Sequence, residues 1–193
     1  MKKSRKLTYC QFLKYRESKS RVPEDELWID VSSSAEYPFN QLSPFYPHGG
    51  IPIPGKPGAL SDSVEGIWQG LKVIRGKTAP RFFQGTGQKR GGGKPSGHQF
   101  GDQKRLLGLV EARQKIYIPA YRWTLENRVD PDVLKQLIDN CFRGVTQRLY
   151  DREDNASIHV DQPLSHAKVL VDYVNEQCKL ALRTDDESDG ATS

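Results

Sequence analysis

The chain is poor in sulfur, with one methionine and three cysteines among 193 residues. Cys10, Cys141 and Cys178 stand far apart, form no C-x-x-C pair and leave one thiol over from any disulfide. That excludes a disulfide framework and a cysteine-based zinc site, and it fits a reducing, cytoplasmic setting. The four histidines show no ligand spacing, so no metal and no cofactor is expected. No apolar run approaches the roughly 20 residues of a membrane-spanning helix. No apolar segment follows the basic start Met1-Lys-Lys-Ser-Arg-Lys, so neither a secretory signal nor a membrane partner is expected. No internal repeat is present.

Charge is plentiful and uneven. Charged residues make up 27% of the chain, hydrophobic residues 36%, and the net charge is +5. Cations crowd residues 2–21 and 72–115, whereas Asp185-Asp-Glu-Ser-Asp is acidic. A basic surface favours phosphate-bearing partners, either nucleotides or nucleic acid; a solubilising excess of lysine is the plainer reading. The organisation expected is a basic N-terminal arm (1–23), one compact domain (24–183) with a flexible basic loop (84–101), and a disordered acidic tail (184–193).

Residues 34–61 hold six prolines and several glycines, which excludes regular structure there. Leu27-Trp-Ile-Asp-Val-Ser reads as a short strand. Asp62 followed by Glu65 has the spacing of a capping box. Val64, Ile67, Trp68, Leu71 and Ile74 then recur with the period of an amphipathic helix. Further helices are expected over about 102–116, from Pro119 to Asn127, from Pro131 (capped by Asp130) to Phe142, and from Pro163 onward. Val145–Tyr150 reads as a second strand. The fold class is mostly α with a few short β-strands, a mixed α+β domain.

On the helix after Asp62, Glu65, Gln69 and Lys72 fall within about 60° of one another at about 100° per residue. They form a polar stripe beside a buried face, either a solvated stripe or the edge of a cleft. The stiff loop Leu42-Ser-Pro-Phe-Tyr-Pro-His-Gly-Gly precedes it, and loops of that kind often shape pockets.

These residues carry a resemblance. Leu42-Ser-Pro-Phe-Tyr-Pro, Ile51-Pro-Ile and Ser63-Val-Glu-Gly-Ile-Trp-Gln-Gly-Leu-Lys-Val resemble the opening of the NADAR family. Its pattern is close to L-S-N-F-Y-P, a following P-I, then S-V-E-H-x-Y-Q-x-x-K-F. The match is specific over residues 42–73. The chain also resembles a group of bacterial and phage proteins sharing SPFYPHGGIP, SVEGIWQGLKV, IYxPxYRWxLEN and PLSHA, over residues 28–175. The NADAR resemblance implies a small helical N-glycosidase acting on phosphorylated ribosyl substrates, including ADP-ribose adducts of nucleic-acid bases. Two departures stand out. The family histidine after the glutamate is Gly66 here, and the family's late W-G-x-G and G-x-N-x-L-G segments are not visible.

The resemblance makes Glu65 the main catalytic carboxylate; its other reading is a capping-box residue. Asp151 and Asp154, following the second strand, are candidates for a second carboxylate or for a solvated turn. Gln69 and Lys72 are placed to hold ribose hydroxyls or phosphate, with Trp68 beside them. His48 and Gly49 offer a phosphate or sugar contact, or a plain turn. Phe45 and Tyr46 suit base stacking or the core. Arg122 is a further pocket candidate. His166 is expected as a pocket or structural hydrogen-bonding group; it is no base for Ser165, because neighbours on a helix diverge by about 100°. Lys89, Arg90, Lys94 and His98 are candidates for contact with phosphate or nucleic acid. The expected function is a hydrolase of N-glycosidic bonds in a phosphorylated nucleoside or ADP-ribosyl substrate. The competitors are a non-catalytic nucleotide or nucleic-acid binder, using the basic loop and arm, and an interaction protein that docks a partner on the proline loop.

Overall fold

The computed structural model describes residues 7–190. Residues 1–6 of the expected arm and 191–193 of the expected tail lie outside the described residues. In chain order the elements are β1 (Gln11–Phe12), β2 (Glu26–Asp30), β3 (Ile51–Pro52), β4 (Leu60–Ser61), α1 (Val64–Leu71), β5 (Lys72–Val73), β6 (Gly97–His98), α2 (Leu109–Ala112), α3 (Ile118–Asn127), α4 (Pro131–Phe142), β7 (Thr146–Tyr150) and α5 (His166–Gly190). This is the mixed α+β fold that the residue pattern predicts.

The main sheet is parallel, ordered β1-β7-β2, with Ile29 and Leu149 in register and both buried. β7 sits in the middle because alternation suits it: Gln147 and Leu149 are buried, while Thr146, Arg148 and Tyr150 are half-buried. Gln147 satisfies its buried amide by donating to the Leu137 carbonyl (2.6 Å) and accepting from Asn140 (3.2 Å), which ties α4 to the sheet. One edge strand comes from the expected arm. From Thr8 onward the chain is part of the domain: Thr8 N–H donates to the Cys141 carbonyl, and Cys10 exchanges two backbone hydrogen bonds with the Asn175 side chain. Cys10, Cys141 and Cys178 are free, buried thiols in the core, and burial pushes the Cys10 and Cys178 pKa values upward, Cys178 to about 12. α5 continues to Gly190, so the stretch expected to be a disordered tail is helical through that residue. No helix among the described residues is long and apolar enough to cross a membrane.

Several boundaries differ from expectation: β3 and β4 pair within the stretch expected to lack regular structure, the helix expected from about 102 begins at Leu109, and α5 begins at His166 and not at Pro163. α1 is capped by Ser63, whose Oγ accepts from Gly66 N–H (3.1 Å); Asp62 instead accepts from Gly85 N–H (2.6 Å). α1 also ends at Leu71, because Lys72 turns to an extended conformation and pairs with His98. Ile74 therefore leaves the helix and enters a tight turn with Arg75 and Gly76 both at positive φ. Farther on, the two helices expected around Pro119 are one continuous helix from Leu109 to Asn127. Its turn over Arg113–Tyr117 is a π-turn. Widening that turn relieves the clash Pro119 would make with the preceding carbonyls, and no N–H is lost from a regular ladder.

The absent histidine at Gly66 has a steric reason. A Cβ there would lie 2.4 Å from the Phe82 carbonyl oxygen, and one at Gly70 would lie 2.1 Å from the Phe83 ring. The two glycines, four residues apart, make a groove on α1 that the short helical turn Pro80–Phe83 fills. Gly66→Ala is expected to destabilise the fold by about 1–3 kcal/mol, because its nearest neighbour is backbone that must move. Chemical denaturation checks this; a midpoint equal to that of the unsubstituted protein would contradict the packing argument.

Candidate active site

α1 is short, but both its ends serve a cavity of about 360 Å³. Glu65 N–H is bonded to the Pro44 carbonyl (2.8 Å), so the proline loop holds the first turn, and the carboxylate points inward. Glu65 is not a capping residue. Its Oε1 accepts from Gln69 Nε2 (2.6 Å), and Gln69 Oε1 accepts from Lys72 Nζ (2.8 Å) and from Arg90 N–H (3.2 Å). The stripe read from helical spacing is thus a hydrogen-bonded chain along the cavity floor. Glu65 is 6% exposed and Gln69 4% exposed, so these are not solvated surface groups.

Burial pushes the Glu65 pKa above the ordinary value. The Gln69 hydrogen bond and the charges of Lys72, Lys89 and His166 work against that rise without cancelling it. Burial also lowers the Lys72 ammonium, opposed by Glu65. The site therefore holds a desolvated carboxyl and a desolvated amine, each shifted toward neutrality.

The basic loop is fastened over this floor. Arg90 spends its guanidinium on the carbonyls of Lys72 (2.5 Å) and Lys77 (2.9 Å), and Gly87 N–H donates to the Phe45 carbonyl (2.9 Å). Gly87 is required by proximity: a Cβ there would stand 2.7 Å from Glu65 Cβ. Lys89 reaches Glu153 across the mouth (3.3 Å). One wall is aromatic. Trp68 lies against the His98 ring with centroids 3.8 Å apart, and Tyr117 meets Trp68 edge-on at 5.7 Å. The roof, residues 161–164, is held by Arg113. This buried side chain donates to the carbonyls of Ile158 (2.6 Å), Val160 (2.8 Å) and Gln162.

His166 forms part of the inner wall, and its partners favour the cationic form. Its Nδ1 faces Asp151 Oδ2 at 2.7 Å and its Nε2 faces the Val31 carbonyl at 2.8 Å. Asp151 Oδ2 also accepts from Ser165 Oγ and Ala167 N–H, so both ring nitrogens meet acceptors and both must carry protons. Burial alone would depress the His166 pKa; the Asp151 charge and the hydrogen bonds to Asp151 and Val31 raise it above 6.5. Burial would likewise raise Asp151, yet His166 and two backbone N–H donors hold it below 3.8. Ser165 donates to Asp151, and no Ser165–His166 dyad forms.

Of the residues singled out in the sequence, Phe45, Glu65, Trp68, Gln69, Lys72, Lys89, Arg90, His98 and His166 line this cavity. The others lie elsewhere. Asp151 is one layer behind, bracing His166. Asp154 faces Arg16 at the surface (3.8 Å). Tyr46 packs against His48, whose Nε2 is bonded to the Gln41 carbonyl, and the Gly49 carbonyl accepts from Arg128. Arg122 pairs with Glu176 (2.6 Å), and Lys94 is exposed outside the cavity. His98 is buried in the cavity wall, where burial lowers its pKa to about 3, so any phosphate contact there would be a neutral hydrogen bond. The pattern missed Glu153, Arg113 and Tyr117. Glu153 could have been found: Asp151 Oδ1 accepts from Glu153 N–H (2.7 Å), an Asx-turn that uses Asp151 and presents Glu153. Among the described residues no group of three or more His, Cys, Asp or Glu side chains is placed to hold a metal.

No curated protein and no solved structure matches the chain. A family model does match, over residues 12–170, described as "Family of unknown function (DUF6939)", and the chain belongs to that family.

Proposed function

We propose that the protein is a hydrolase that cleaves the N-glycosidic bond of a phosphorylated ribosyl substrate: a nucleotide, an ADP-ribose adduct or a modified nucleic-acid base. The observation that carries this reading is Glu65, a buried carboxylate with a raised pKa on the floor of a cavity beside cations. The NADAR-like pattern over residues 42–73, whose glutamate falls on this residue, is in keeping with it. The cavity volume is near the lower end of the roughly 300–1,000 Å³ typical of small-molecule sites.

In the reaction, the C1′–N bond breaks and its electron pair leaves with the base nitrogen. Positive charge develops on C1′ and the ring oxygen, facing the Glu65 carboxylate, which stabilises it. Water adds to C1′ and gives its proton to Glu65. The departing nitrogen takes its proton from solvent at the mouth, where Glu153 stands ion-paired with Lys89. Lys72 and Lys89 hold the phosphate. Arg90 and Arg113, committed to backbone carbonyls, fix the loop and roof. Turnover in ¹⁸O-labelled water is expected to put the label on the sugar and none on the base. An unlabelled sugar product would overturn hydrolysis.

A second reading, nucleic-acid binding, is favoured by a different feature. A groove next to the cavity is lined by Arg75, Lys77, Arg81 and Arg90, with no carboxylate among its described lining residues. Replacing both Lys77 and Arg81 by alanine is expected to reduce the salt slope of single-strand binding by about 1.4, at about 0.7 per phosphate contact. Fluorescence titration over a salt series checks this; an unchanged slope would remove the groove from consideration.

A further inference from the structure

His98 stands on β6, whose backbone is held on both sides. Its N–H donates to the Leu107 carbonyl (3.0 Å), its carbonyl accepts from Leu107 N–H (2.9 Å), and it is in register with Lys72. The backbone that carries the ring is therefore fixed in place. It is 3% exposed, one of its faces lies on the Trp68 indole at 3.8 Å, and it lines the cavity that holds Glu65. Yet neither Nδ1 nor Nε2 has a hydrogen-bond partner among the described residues. Folded chains pair almost all such buried atoms, so two orphans on one ring need a reason.

The ring's chemistry narrows that reason. Burial depresses the His98 pKa to about 3, and the Lys72 charge acts in the same direction. A neutral imidazole has one N–H donor and one acceptor nitrogen. It has no charge with which to hold a phosphate, and Lys72 and Lys89 supply that charge nearby. His166, in the same cavity, is the opposite case, with both nitrogens committed to acceptors inside the protein. Of the two imidazoles, His98 alone has hydrogen-bonding capacity to offer a bound molecule.

We propose that Trp68 and His98 form the subsite for the leaving group, a planar heteroaromatic base whose amide-type donor–acceptor edge is read by the His98 ring. This deepens the proposed hydrolytic function and rests on it for the term "leaving group"; recognition of the base stands on His98 itself. Trp68 keeps the imidazole plane from turning away, so the ring favours a partner whose edge lies near that plane. Purine or pyrimidine bases and a pyridine carboxamide share this edge chemistry.

The test uses the full chain with ¹⁵N-labelled histidine and four probes: inosine 5′-monophosphate, cytidine 5′-monophosphate, nicotinamide mononucleotide and ribose 5-phosphate. At least one base-bearing probe is expected to shift the His98 ring nitrogen signals, and ribose 5-phosphate is not. Which probe does so distinguishes a nucleobase from a pyridine carboxamide. His98→Phe, which retains the stack on Trp68, is expected to weaken that probe's binding about tenfold and leave ribose 5-phosphate affinity unchanged. Ring signals unmoved by all three base-bearing probes would overturn the subsite, as would a variant that weakens binding of every probe alike. If the variant does not fold, the signals of the unsubstituted protein decide alone. Binding with a His98 shift but no cleavage would remove the hydrolase reading and leave the subsite; cleavage with unmoved signals would do the reverse.

Discussion

Glu65→Gln is expected to lower kcat/KM by about 100- to 10,000-fold, the range for losing a group that handles charge and protons in the transition state. The fold should be retained. Glutamine is isosteric, its carbonyl can still accept from Gln69 Nε2, and the substitution removes a charge that burial disfavours. Thermal stability should therefore be no lower than that of the unsubstituted protein. The pH profile provides a second check. The active form of Glu65 is ionised, and its pKa is raised, so activity should fall as pH drops through a value above 4.5. The Lys72 pKa is lowered, so any limb it controls should appear on the alkaline side below 10.5. An acid limb below 4.5 would contradict the environment described for Glu65.

The largest effect on stability is expected at Asp151. Its carboxylate accepts from Ser165 Oγ, Ala167 N–H, Glu153 N–H and His166 Nδ1, all between 2.7 and 3.0 Å. Asp151→Ala orphans these donors and leaves the His166 cation buried, at a cost of about 3–5 kcal/mol. Whole-domain stabilities are about 5–15 kcal/mol, so this change comes close to unfolding the protein. Linkage gives the pH dependence. His166 is raised above its unfolded value of 6.5, so its contribution is full below pH 6.5 and is lost as pH rises through the higher folded value. Asp151 is lowered below its unfolded value of 3.8, so its contribution is full above pH 3.8 and is lost as pH falls through the lower folded value. The pair stabilises most between those limits. In Asp151→Asn the alkaline loss should flatten. Denaturation at pH 6 and pH 9 measures this, and ¹⁵N spectra should show both His166 ring nitrogens protonated at pH 6. A neutral His166 would contradict the ion pair.

Legibility from the sequence followed the range of the interactions. α1 and its polar stripe were readable because helical period is local, and Glu65, Gln69 and Lys72 lie where that period places them. Asp130 as a helix cap was readable for the same reason. Asp62 was a misleading cap, because Ser63 competed for the role and Asp62 was taken by Gly85, 23 residues away. β1 is two residues long and depends entirely on a partner 137 residues later, so no local pattern marks it. Pro119 signalled a break that the π-turn absorbs. In the turn after β7, Glu153 lines the cavity, whereas Asp151 faces His166 and Asp154 faces Arg16 at the surface. His98 was noticed for its glycine neighbours, yet its significance is its lack of partners, which only the packed structure reveals.

The proposed reaction places Glu65 in a cavity where a base is cleaved from a ribose phosphate. The most direct measurement is product analysis by chromatography after incubating the protein with N-ribosyl 5′-phosphates and ADP-ribosylated bases, beside the Glu65→Gln variant. Free base and sugar phosphate are expected in equal amounts from at least one substrate, and neither from the variant. Equal release by both proteins, or no release from substrates that demonstrably bind the cavity, would contradict it.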